Sequence, residues 1–302
     1  MRKIGIVTVL YKSDLVLEDF FRSISIQTFT NYILYIVDNS PSESSSVLLE
    51  SLLQKHKIAD KTRYLTTGKN LGVAAGNNLG IIASQEDGCD YVLLSNNDIV
   101  IHDKFLFENM LFKADSFKLQ ILVPKIYYYN SREFWFISGY INKFRSKCFH
   151  SNSNSVDFGQ FDELESCSYA PTCFMLLSRE VFDKVGLMDE KYFVYYDDTD
   201  FLWRCKLHNI SVNLFTNGSI EHKEGKSTGG QTSDFSFYFF TRNRFLFSLK
   251  FNHNVFIKSL SVIYILLVSL LRSLKYNKTK LFYIILKEFI TKKRNKGLSF
   301  FN

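Results

Sequence analysis

Proline and cysteine are scarce in this chain, and both shortages exclude classes of protein. Only 3 of the 302 residues are proline, which argues against a Pro-rich linker between independent modules. The five cysteines are odd in number and show no C-x-x-C spacing, so neither a disulfide framework nor a structural zinc site is indicated. We therefore expect a reducing, cytoplasmic setting.

Long apolar runs are also missing. The most apolar uncharged run, 259–271, has 13 residues, or about 20 Å as a helix, whereas the hydrocarbon of a bilayer is about 30 Å thick. This predicts a helix too short to span a membrane comfortably. The apolar stretch at 5–11 runs at once into polar residues, so we interpret it as a first buried strand and not as a secretory signal.

The positive charge is concentrated at one end of the chain. The net charge is +7, but residues 250–302 hold eleven Lys and Arg against one acid, a net +10, so the rest of the chain carries −3. A nucleic-acid-binding protein usually spreads its basic residues over the folded body. An acidic body with a basic, apolar C-terminal segment instead favours an anionic membrane surface as partner, and no nucleic acid. The alternative is an ordinary helical subdomain packed on the body.

The first hundred residues alternate between β-rich apolar runs and segments of helical period. The first run is followed by an apolar helix face at 17–24, with Ser13 placed to cap it. Such alternation predicts a parallel sheet covered by helices, with ligands bound beyond the carboxyl ends of its strands. Those ends carry Asp38, Asn70 with Gly72, and Asn97 with Asp98, so we expect them to converge on one edge.

Three groups of residues could carry chemistry. Asp98 at a strand end is a natural ligand for Mg²⁺ or Mn²⁺, although the sequence Asn-Asn-Asp also suits a plain turn. Asp197, Asp198 and Asp200 open a predicted helix and exceed what capping needs, so one of them could be a general base. His222 precedes a Gly-rich loop and could join the metal site, while Gly229 and Gly230 could hinge a lid that brings Lys223 or Lys226 to phosphates.

In order along the chain, these motifs resemble the pattern of glycosyltransferase family 2. The pieces are IVTVLY, VDNS, NLGVAAGNNLG, a strand ending in NND, and a late DDTD with a histidine after it. They cover roughly residues 3–245, and the similarity is closest to the bacterial rhamnosyltransferase-like and galactofuranosyltransferase-like branch. The resemblance implies an α/β GT-A fold, with a Rossmann-like, mostly parallel sheet flanked by helices. It also implies an enzyme that inverts the anomeric centre.

The resemblance assigns roles by position. Thr8 and Tyr11 would flank the nucleoside, Asp38 would bind the base, and Asp98 and His222 would hold the Mn²⁺ or Mg²⁺. Asp198 would be the catalytic base, supported by neighbouring acids. The remaining assigned positions are the donor-binding residues Asn70, Gly72, Asn78, Asn97 and Arg242 and the supporting acids Asp197 and Asp200. Two positions depart from the family pattern, since Asn96 replaces the first acid of D-x-D and Asp197 replaces a Glu.

Domain limits and function follow from the same resemblance. Residues 1–250 are predicted to form the catalytic domain, with a nucleotide-sugar half at 1–100 and an acceptor half at 101–250. Residues 251–302 would form a helical membrane-associating segment. The predicted enzyme sits on the cytoplasmic face of the cell membrane and moves L-rhamnose from dTDP-rhamnose to a lipid-linked acceptor for a bacterial surface polysaccharide (O-antigen or capsule). Acceptor specificity is expected in the Tyr-rich stretch 125–167.

Three alternatives remain open at this point. One is a UDP-galactose or UDP-galactofuranose transferase. Another is a nucleotidyltransferase, which would be expected to carry a Gly-rich loop with a basic residue directly after the first strand. The third is a binding protein that has kept the fold and lost the chemistry, against which the intact Asp98, Asp198 and His222 speak.

Overall fold

Strands and helices alternate through the first half of the chain, as predicted. The structure is a computed structural model that describes residues 2–11, 13–40, 46–223 and 233–291. The elements up to residue 116 are β1 (Ile4–Leu10), α1 (Leu17–Ser25), β2 (Tyr32–Asp38), α2 (Ser46–Lys55), β3 (Thr62–Thr66), α3 (Val73–Glu86), β4 (Tyr91–Ser95), β5 (Ile99–Val100) and α4 (Leu106–Ser116).

The second half is less regular. Its elements are β6 (Ile121–Tyr128), β7 (Phe134–Phe136), β8 (Ser138–Asn142), β9 (Lys147–Ser151), β10 (Ser166–Cys167), β11 (Phe174–Ser178), α5 (Arg179–Val185), α6 (Asp197–Leu207), β12 (Val212–His222), α7 (Asp234–Phe251), α8 (Val255–Lys275) and α9 (Thr279–Thr291). The stretch 125–167, which shows no clear period in the sequence, therefore contains short strands. β8 and β9 pair only with each other among the described strands.

One ten-stranded sheet organises the fold, and it is parallel in only part of its width. Its main order is β10-β12-β6-β11-β4-β1-β2-β3, with β5 on β12 and β7 on β6. β3, β2, β1 and β4 run parallel to their neighbours in this half. β11 is antiparallel to both β4 and β6, which makes the whole sheet mixed. The fold is a GT-A-like α/β fold, and the expectation of a mostly parallel sheet holds best for its N-terminal half.

Helix α3 packs on this parallel half at close range because its glycines leave room. A Cβ at Gly80 would lie 2.3 Å from Val7 Cγ1, and a Cβ at Gly76 would lie 2.9 Å from Val9 Cγ1. Side chains at either position would push the helix away from β1. Gly72 precedes the helix with φ +84°, in the left-handed region that favours glycine. The glycines of NLGVAAGNNLG are thus explained by packing and by backbone conformation.

The chain divides into two compact units, each described here by itself. The first comprises Met1–Tyr140, Phe149–Phe193 and Asp197–Glu224, and it contains the ten-stranded sheet. The second comprises Ile141–Cys148, Val194–Tyr196 and Gly225–Asn302, and it contains α7, α8 and α9. The predicted boundary at residue 250 falls in the last turn of α7.

The second unit is a cluster of three helices. Phe245 of α7 packs on Phe289 of α9, with ring centroids 5.3 Å apart, and Tyr238 donates to Glu288 Oε2 at 2.8 Å. Helix α8 has 21 residues, so it is longer than the 13-residue uncharged run indicated. Among the described residues it is the one helix long and apolar enough to cross a membrane by length and composition. The prediction that this helix is too short to span a membrane is therefore wrong as far as its length is concerned.

The first helix lies where it was predicted, but the cap predicted for it is wrong. Helix α1 begins at Leu17, Val16 occupies the N-cap position, and no side chain caps it. Ser13 instead uses its hydroxyl in the preceding turn, where it accepts from Tyr11 N at 3.2 Å. The hydroxyl of Ser13 is therefore used in the turn before the helix, and it does not cap α1.

Candidate active site

The carboxyl ends of the parallel strands bring the predicted strand-end residues to one edge of the sheet. β1 and β2 pair in register up to Leu10 and Asp38, and β4 ends on the same side of β1, just before Asn97 and Asp98. This arrangement confirms the predicted convergence. It gives the first unit an edge rich in amide and carboxylate groups.

Asp98 and His222 face each other at this edge. The antiparallel pairing of β5 with β12 sets His222 opposite Ile99, and Lys223 N donates to Asp98 O at 2.8 Å. His222 Nε2 then lies 3.2 Å from Asp98 Oδ1. Both atoms are buried, and neither has a hydrogen-bond partner of good geometry within the described residues, although their separation is that of an ion pair. A carboxylate oxygen and an imidazole nitrogen, both of types that bind metal ions, thus lie next to each other without a well-aligned hydrogen-bond partner.

The chemistry of this pair fits a divalent cation. Burial acts to raise the pKa of Asp98, but the His222 imidazole and further hydrogen bonds outweigh it and hold that pKa below its usual value. A carboxylate oxygen suits Mn²⁺ or Mg²⁺, and the imidazole nitrogen beside it favours Mn²⁺ of the two. No group of three or more Asp, Glu, His and Cys side chains that could hold a metal occurs in the described part of the chain. A cation here would need further ligands from its substrate or from water.

An aromatic wall runs from His222 towards the acids of α6. The Trp135 ring meets the His222 ring edge-on, with centroids 4.4 Å apart, and contacts His150 at 5.3 Å. His150 in turn lies 5.8 Å from the Tyr169 ring, and Tyr169 donates to Asp198 Oδ2 at 2.6 Å. The sequence did not point to these aromatic residues, since they belong to short strands and loops without a readable period.

Asp198 is the most accessible of the three acids at the start of α6. Asp197 and Asp200 are buried, whereas Asp198 is half-buried. Burial, and next the charge of Asp198, raise the pKa of Asp197, while burial also raises the pKa of Asp198. Asp200 accepts from Arg204 Nε at 2.9 Å. Its carboxylate is therefore occupied by an ion pair within the helix.

The first strand and the second present the predicted nucleoside contacts. Thr8 is fully buried, and its Oγ1 makes no hydrogen bond within the described residues. Tyr11 is half-buried just after β1. Asp38 is buried, accepting from Tyr64 at 2.5 Å and from Ser40 N at 2.8 Å. Tyr64 is a partner that sequence reasoning missed.

Several predicted donor-binding residues are engaged by the protein's own backbone. Asn70 Oδ1 accepts from Gly72 N at 3.0 Å. Asn78 Nδ2 donates to Met188 O at 3.0 Å, and its Oδ1 accepts from Met188 N at 3.0 Å. Asn97 Nδ2 donates to Val9 O at 3.0 Å. These three amides hold turns and loops around the edge.

The lysine predicted to reach phosphates has another partner. Lys223 forms an ion pair with Asp19, and its ammonium lies 4.9 Å from the centre of the Tyr129 ring. The other parts of the predicted lid, Lys226, Gly229 and Gly230, lie outside the described residues, as does the basic stretch 292–296.

Arg242 belongs to the second unit, in α7. It is buried, donates to Asn243 Oδ1 at 2.8 Å, and has Glu288 Oε2 4.0 Å from its Nε.

A strained turn precedes the acids. Tyr195 and Tyr196 have φ +60° and +66°, a conformation that bulky side chains rarely adopt. Asn243 Nδ2 donates to Val194 O at 2.8 Å and to Tyr195 O at 2.9 Å, so the second unit holds this turn in place. The next residue along the chain is Asp197, the first of α6. No sequence signal predicts this turn, because tyrosine is not a residue that favours positive φ.

A family model described as glycosyl transferase family 2 matches residues 5–186, which is more than half of the chain. The chain belongs to this family. It is therefore a glycosyltransferase, and the family match includes β1 to β4 with the acidic edge at Asp38 and Asp98.

Two relatives are similar over much of the chain. The low-salt glycan biosynthesis hexosyltransferase Agl10 of Haloferax volcanii is 26% identical over 89% of this chain and 82% of its own length. The dTDP-rhamnosyl transferase RfbF of Shigella flexneri is 25% identical over 57% of this chain and 56% of its own length. Both names agree with a family 2 hexosyltransferase.

Solved structures of TarS from S. aureus share the fold. One matches 82% of this chain and 40% of that chain with a TM-score of 0.54 and 14% identity. Another, in complex with UDP-GlcNAc, matches 82% of this chain and 66% of that chain, with a TM-score of 0.55. At 14% identity the likeness concerns the fold.

Proposed function

We propose that this enzyme transfers a hexose, with L-rhamnose from dTDP-rhamnose as the first candidate, in a single inverting displacement onto a lipid-linked glycan of a bacterial surface polysaccharide. The observation that carries the catalytic part is the buried pair Asp98 and His222, whose facing atoms lie 3.2 Å apart without a hydrogen bond. Such a pair is costly to bury unless a ligand satisfies it.

The donor is proposed from the relatives and from the sequence motif. The name of RfbF supports a dTDP-sugar, and the NND motif points the same way. UDP-galactose or UDP-galactofuranose is the second candidate class, and the UDP-GlcNAc complex of TarS supports a nucleotide-sugar donor in general. Family membership favours both over a nucleotidyltransferase or a non-enzymatic binding protein.

Asp98 and His222 would hold Mn²⁺ or Mg²⁺ together with donor phosphate oxygens. When bound, the cation supplies Lewis-acid neutralisation of the charge on the departing nucleoside diphosphate. On the protein side, Thr8 has a buried hydroxyl without a partner in the described residues and is proposed to contact the nucleoside. Asp38 and Tyr11 would complete that contact. Asn70, Gly72, Asn78 and Asn97 would act through the loops that they hold.

Asp198 is proposed as the base that takes the proton of the acceptor hydroxyl as its oxygen attacks the anomeric carbon. Asp197 is buried against it with a raised pKa. A protonated Asp197 adds no second negative charge, so Asp198 can stay ionised beside it. One base suffices, because a nucleoside diphosphate leaves without being protonated, unlike the alcohol that leaves in a glycosidase.

A donor panel tests this proposal. The full chain is incubated with dTDP-rhamnose, UDP-galactose or UDP-GlcNAc and MnCl₂, and release of the nucleoside diphosphate is measured. We expect fastest release from dTDP-rhamnose and a loss of about 10²–10⁴-fold in Asp198→Asn, the usual contribution of a general base. Asp183→Asn, an exposed acid on α5, is the matched control. Unchanged turnover in Asp198→Asn would refute the base, and preference for a UDP-sugar would refute the donor.

Helix α8 is the basis for proposing a lipid-linked acceptor and a peripheral position on the inner face of the membrane. Its apolar side chains are mostly exposed, whereas those of a core helix would be buried. Only 17% of its apolar window is buried. Its buried face instead carries Ser261, Ser269 and Ser273, with Ser261 Oγ 2.8 Å from Ser248 Oγ. Small residues between helices and large apolar ones outside are typical of contact with lipid. The exposed large apolar residues of this helix include Val255, Phe256, Leu267, Leu271 and Leu274.

Charges on the neighbouring helices favour a helix lying in the interface over one that spans the bilayer. α9 packs on α7 and carries Lys280 and exposed Lys287, and α7 carries Arg242 and Arg244. If α8 crossed the bilayer, these charges would enter the hydrocarbon at a high cost. An in-plane α8 leaves Lys258, Arg272 and Lys275 near the headgroups, where each adds attraction to anionic lipid.

Vesicle binding tests the membrane part separately. The full chain is sedimented with phosphatidylcholine vesicles with or without anionic phosphatidylglycerol. We expect binding that needs the anionic lipid, weakens with salt, and falls roughly 10-fold or more in Leu267→Ser/Leu271→Ser, since each buried leucine contributes about 1.5–3 kcal/mol. Phe112→Ser, which changes an equally exposed residue on α4, should bind normally. Equal binding of both variants would refute the role of α8.

A further inference from the structure

We propose that Tyr169 is a positioning residue that keeps Asp198 ionised and determines which carboxylate oxygen of Asp198 faces the acceptor hydroxyl. This inference rests on the proposed role of Asp198 as the base. It assigns a function to a residue in the loop between β10 and β11, to which neither the motifs nor the family resemblance points.

The hydrogen bonds of Asp198 leave one place for an acceptor. Thr199 supplies two donors to Oδ1, its backbone N at 2.5 Å and its Oγ1 at 3.0 Å. Tyr169 OH donates to Oδ2 at 2.6 Å. These are all the hydrogen bonds that the carboxylate of Asp198 accepts within the described part of the chain. A carboxylate offers about four lone-pair sites, so the one that remains is on Oδ2, beside the Tyr169 hydroxyl.

Tyr169 is held firmly in this position. Its side chain is buried, and its backbone N lies 3.1 Å from Gly139 O. Its ring packs against His150 at 5.8 Å and against Phe136 at 6.5 Å, the latter edge-on. Burial, the two ring contacts and the backbone hydrogen bond restrict movement of the Tyr169 hydroxyl away from the carboxylate. The Tyr169 hydroxyl therefore orients Asp198 and does not merely follow it.

Several ionisable groups surround Asp198, and Tyr169 opposes the strongest effect. Burial raises the pKa of Asp198, and the hydrogen bond from Tyr169 is the first of the contacts that lower it, with Thr199 and the charge of His150 on β9 acting in the same direction. On α6 itself the neighbours are Asp197 and Asp200, of which Asp200 is paired with Arg204. The Cys173 thiol before β11 also lies within electrostatic range.

Removing the hydroxyl should shift the titration of Asp198. Hydrogen bonds to charged groups contribute about 1.5–3 kcal/mol, which corresponds to about 1–2 pH units. The carboxyl carbons of aspartate are labelled with ¹³C in the full chain, and the signal that disappears in Asp198→Asn is assigned to Asp198. In Tyr169→Phe we expect this signal to titrate about 1–2 units higher than in the wild type. This measurement needs no donor and no turnover.

The kinetic test uses the pH profile of dTDP-rhamnose turnover. Without the Tyr169 hydroxyl, Asp198 becomes ionised only at higher pH. The acidic limb of the pH profile should therefore move to higher pH by about 1–2 units, as the NMR titration does. The loss of kcat/KM should be about 10–100-fold on that limb and should shrink as the pH rises. Tyr35→Phe is the matched control, because Tyr35 is buried and donates to Asp87 Oδ2 at 2.5 Å in the same unit.

The outcomes separate this inference from the proposed function. An unshifted Asp198 signal in Tyr169→Phe overturns the inference, and so does a loss of activity that is equal at every pH, as expected for a merely structural role. If Asp198→Asn retains full turnover, the proposed base fails whatever Tyr169 does. A shifted signal with normal melting and a pH-dependent loss supports the positioning role.

Discussion

The side-chain amide of Asn243 donates to the backbone carbonyl of Tyr195 at 2.9 Å. Tyr195 and Tyr196 both have positive φ, and a bulky residue in that conformation costs roughly 1–3 kcal/mol. Such a backbone conformation persists only where the surrounding structure enforces it. Here the enforcing group is the fully buried side-chain amide of Asn243, which also donates to Val194 O. Asp197, the first residue of α6, follows this turn directly in the chain, so we expect a change in the turn to be passed along the backbone to the start of that helix.

Replacing Asn243 with Ala should relax this turn. Two carbonyls would lose their donor, so we expect a loss of roughly 1–3 kcal/mol in the free energy of unfolding and a fall in kcat of about 10-fold or more, as a 1 Å misplacement can cause. Thermal melting and nucleotide release measure the two effects. Asn213→Ala is the control, because Asn213 also donates to two carbonyls, Ile121 O and Ser211 O, at 3.2 and 3.4 Å. If kcat is as high in Asn243→Ala as in this control, Asn243 does not position the acids.

His222→Ala should weaken metal binding. Losing one of two protein ligands should raise the Mn²⁺ concentration for half-maximal activity by at least about 10–100-fold, as even indirect perturbation of a metal site does. Calorimetric titration of MnCl₂ with dTDP present gives a readout without turnover. His102→Ala is the control, since this exposed histidine also lies beside a carboxylate, 3.3 Å from Glu221. Equal Mn²⁺ affinity in both variants would contradict the assignment of His222.

The sequence predicted much of the first hundred residues because their signals are local. The apolar runs of β1, β2 and β4 and the helical periods between them each lie within a short window. The carboxyl ends of parallel strands lie at the same edge of a sheet by geometry alone, so the placement of Asp38 and Asp98 at one edge could be predicted. The family pattern added specific roles for the late acids and for His222.

Other features depend on pairings between distant parts of the chain. Asp98 meets His222 because β5 pairs with β12, and no periodicity encodes which strand finds which partner. Tyr169 reaches Asp198 from a loop, and its place depends on the packing of His150 and Phe136. The motif suggested that the amide of Asn78 binds the donor. In the structure this amide forms hydrogen bonds with the backbone of Met188, and only the tertiary structure reveals that contact.

The contact between Gly80 and Val7 predicts a coupled pair of substitutions. A Cβ on Gly80 would lie 2.3 Å from Val7 Cγ1, so Gly80→Ala should destabilise by about 1–3 kcal/mol through overpacking. Adding Val7→Ala removes the clashing methyl groups, and the double variant should be more stable than the sum of the single effects by about 0.5–3 kcal/mol. Gly76→Ala with Val7→Ala is the control, since Gly76 faces Val9. Additive effects for Gly80 and Val7 would contradict the close approach of α3 to β1.

The raised pKa of Asp197 predicts how stability depends on pH. Burial, followed by the charge of Asp198, raises this pKa to about 8, compared with about 3.9 in an unfolded chain. Between these two values the folded state binds more protons than the unfolded state, so the contribution of Asp197 to stability is full below about pH 4 and is lost as the pH rises to about 8. Asp197→Asn removes the titration while keeping a side chain that suits a helix start. The variant should therefore melt at least about 2 °C higher than the wild type at pH 8, the effect of about 1 kcal/mol in a protein of this size, and the gap should narrow towards pH 5. Asp183→Asn, on the exposed surface of α5, should follow the wild-type curve, and a constant gap for Asp197→Asn at all pH values would show that Asp197 is ionised throughout.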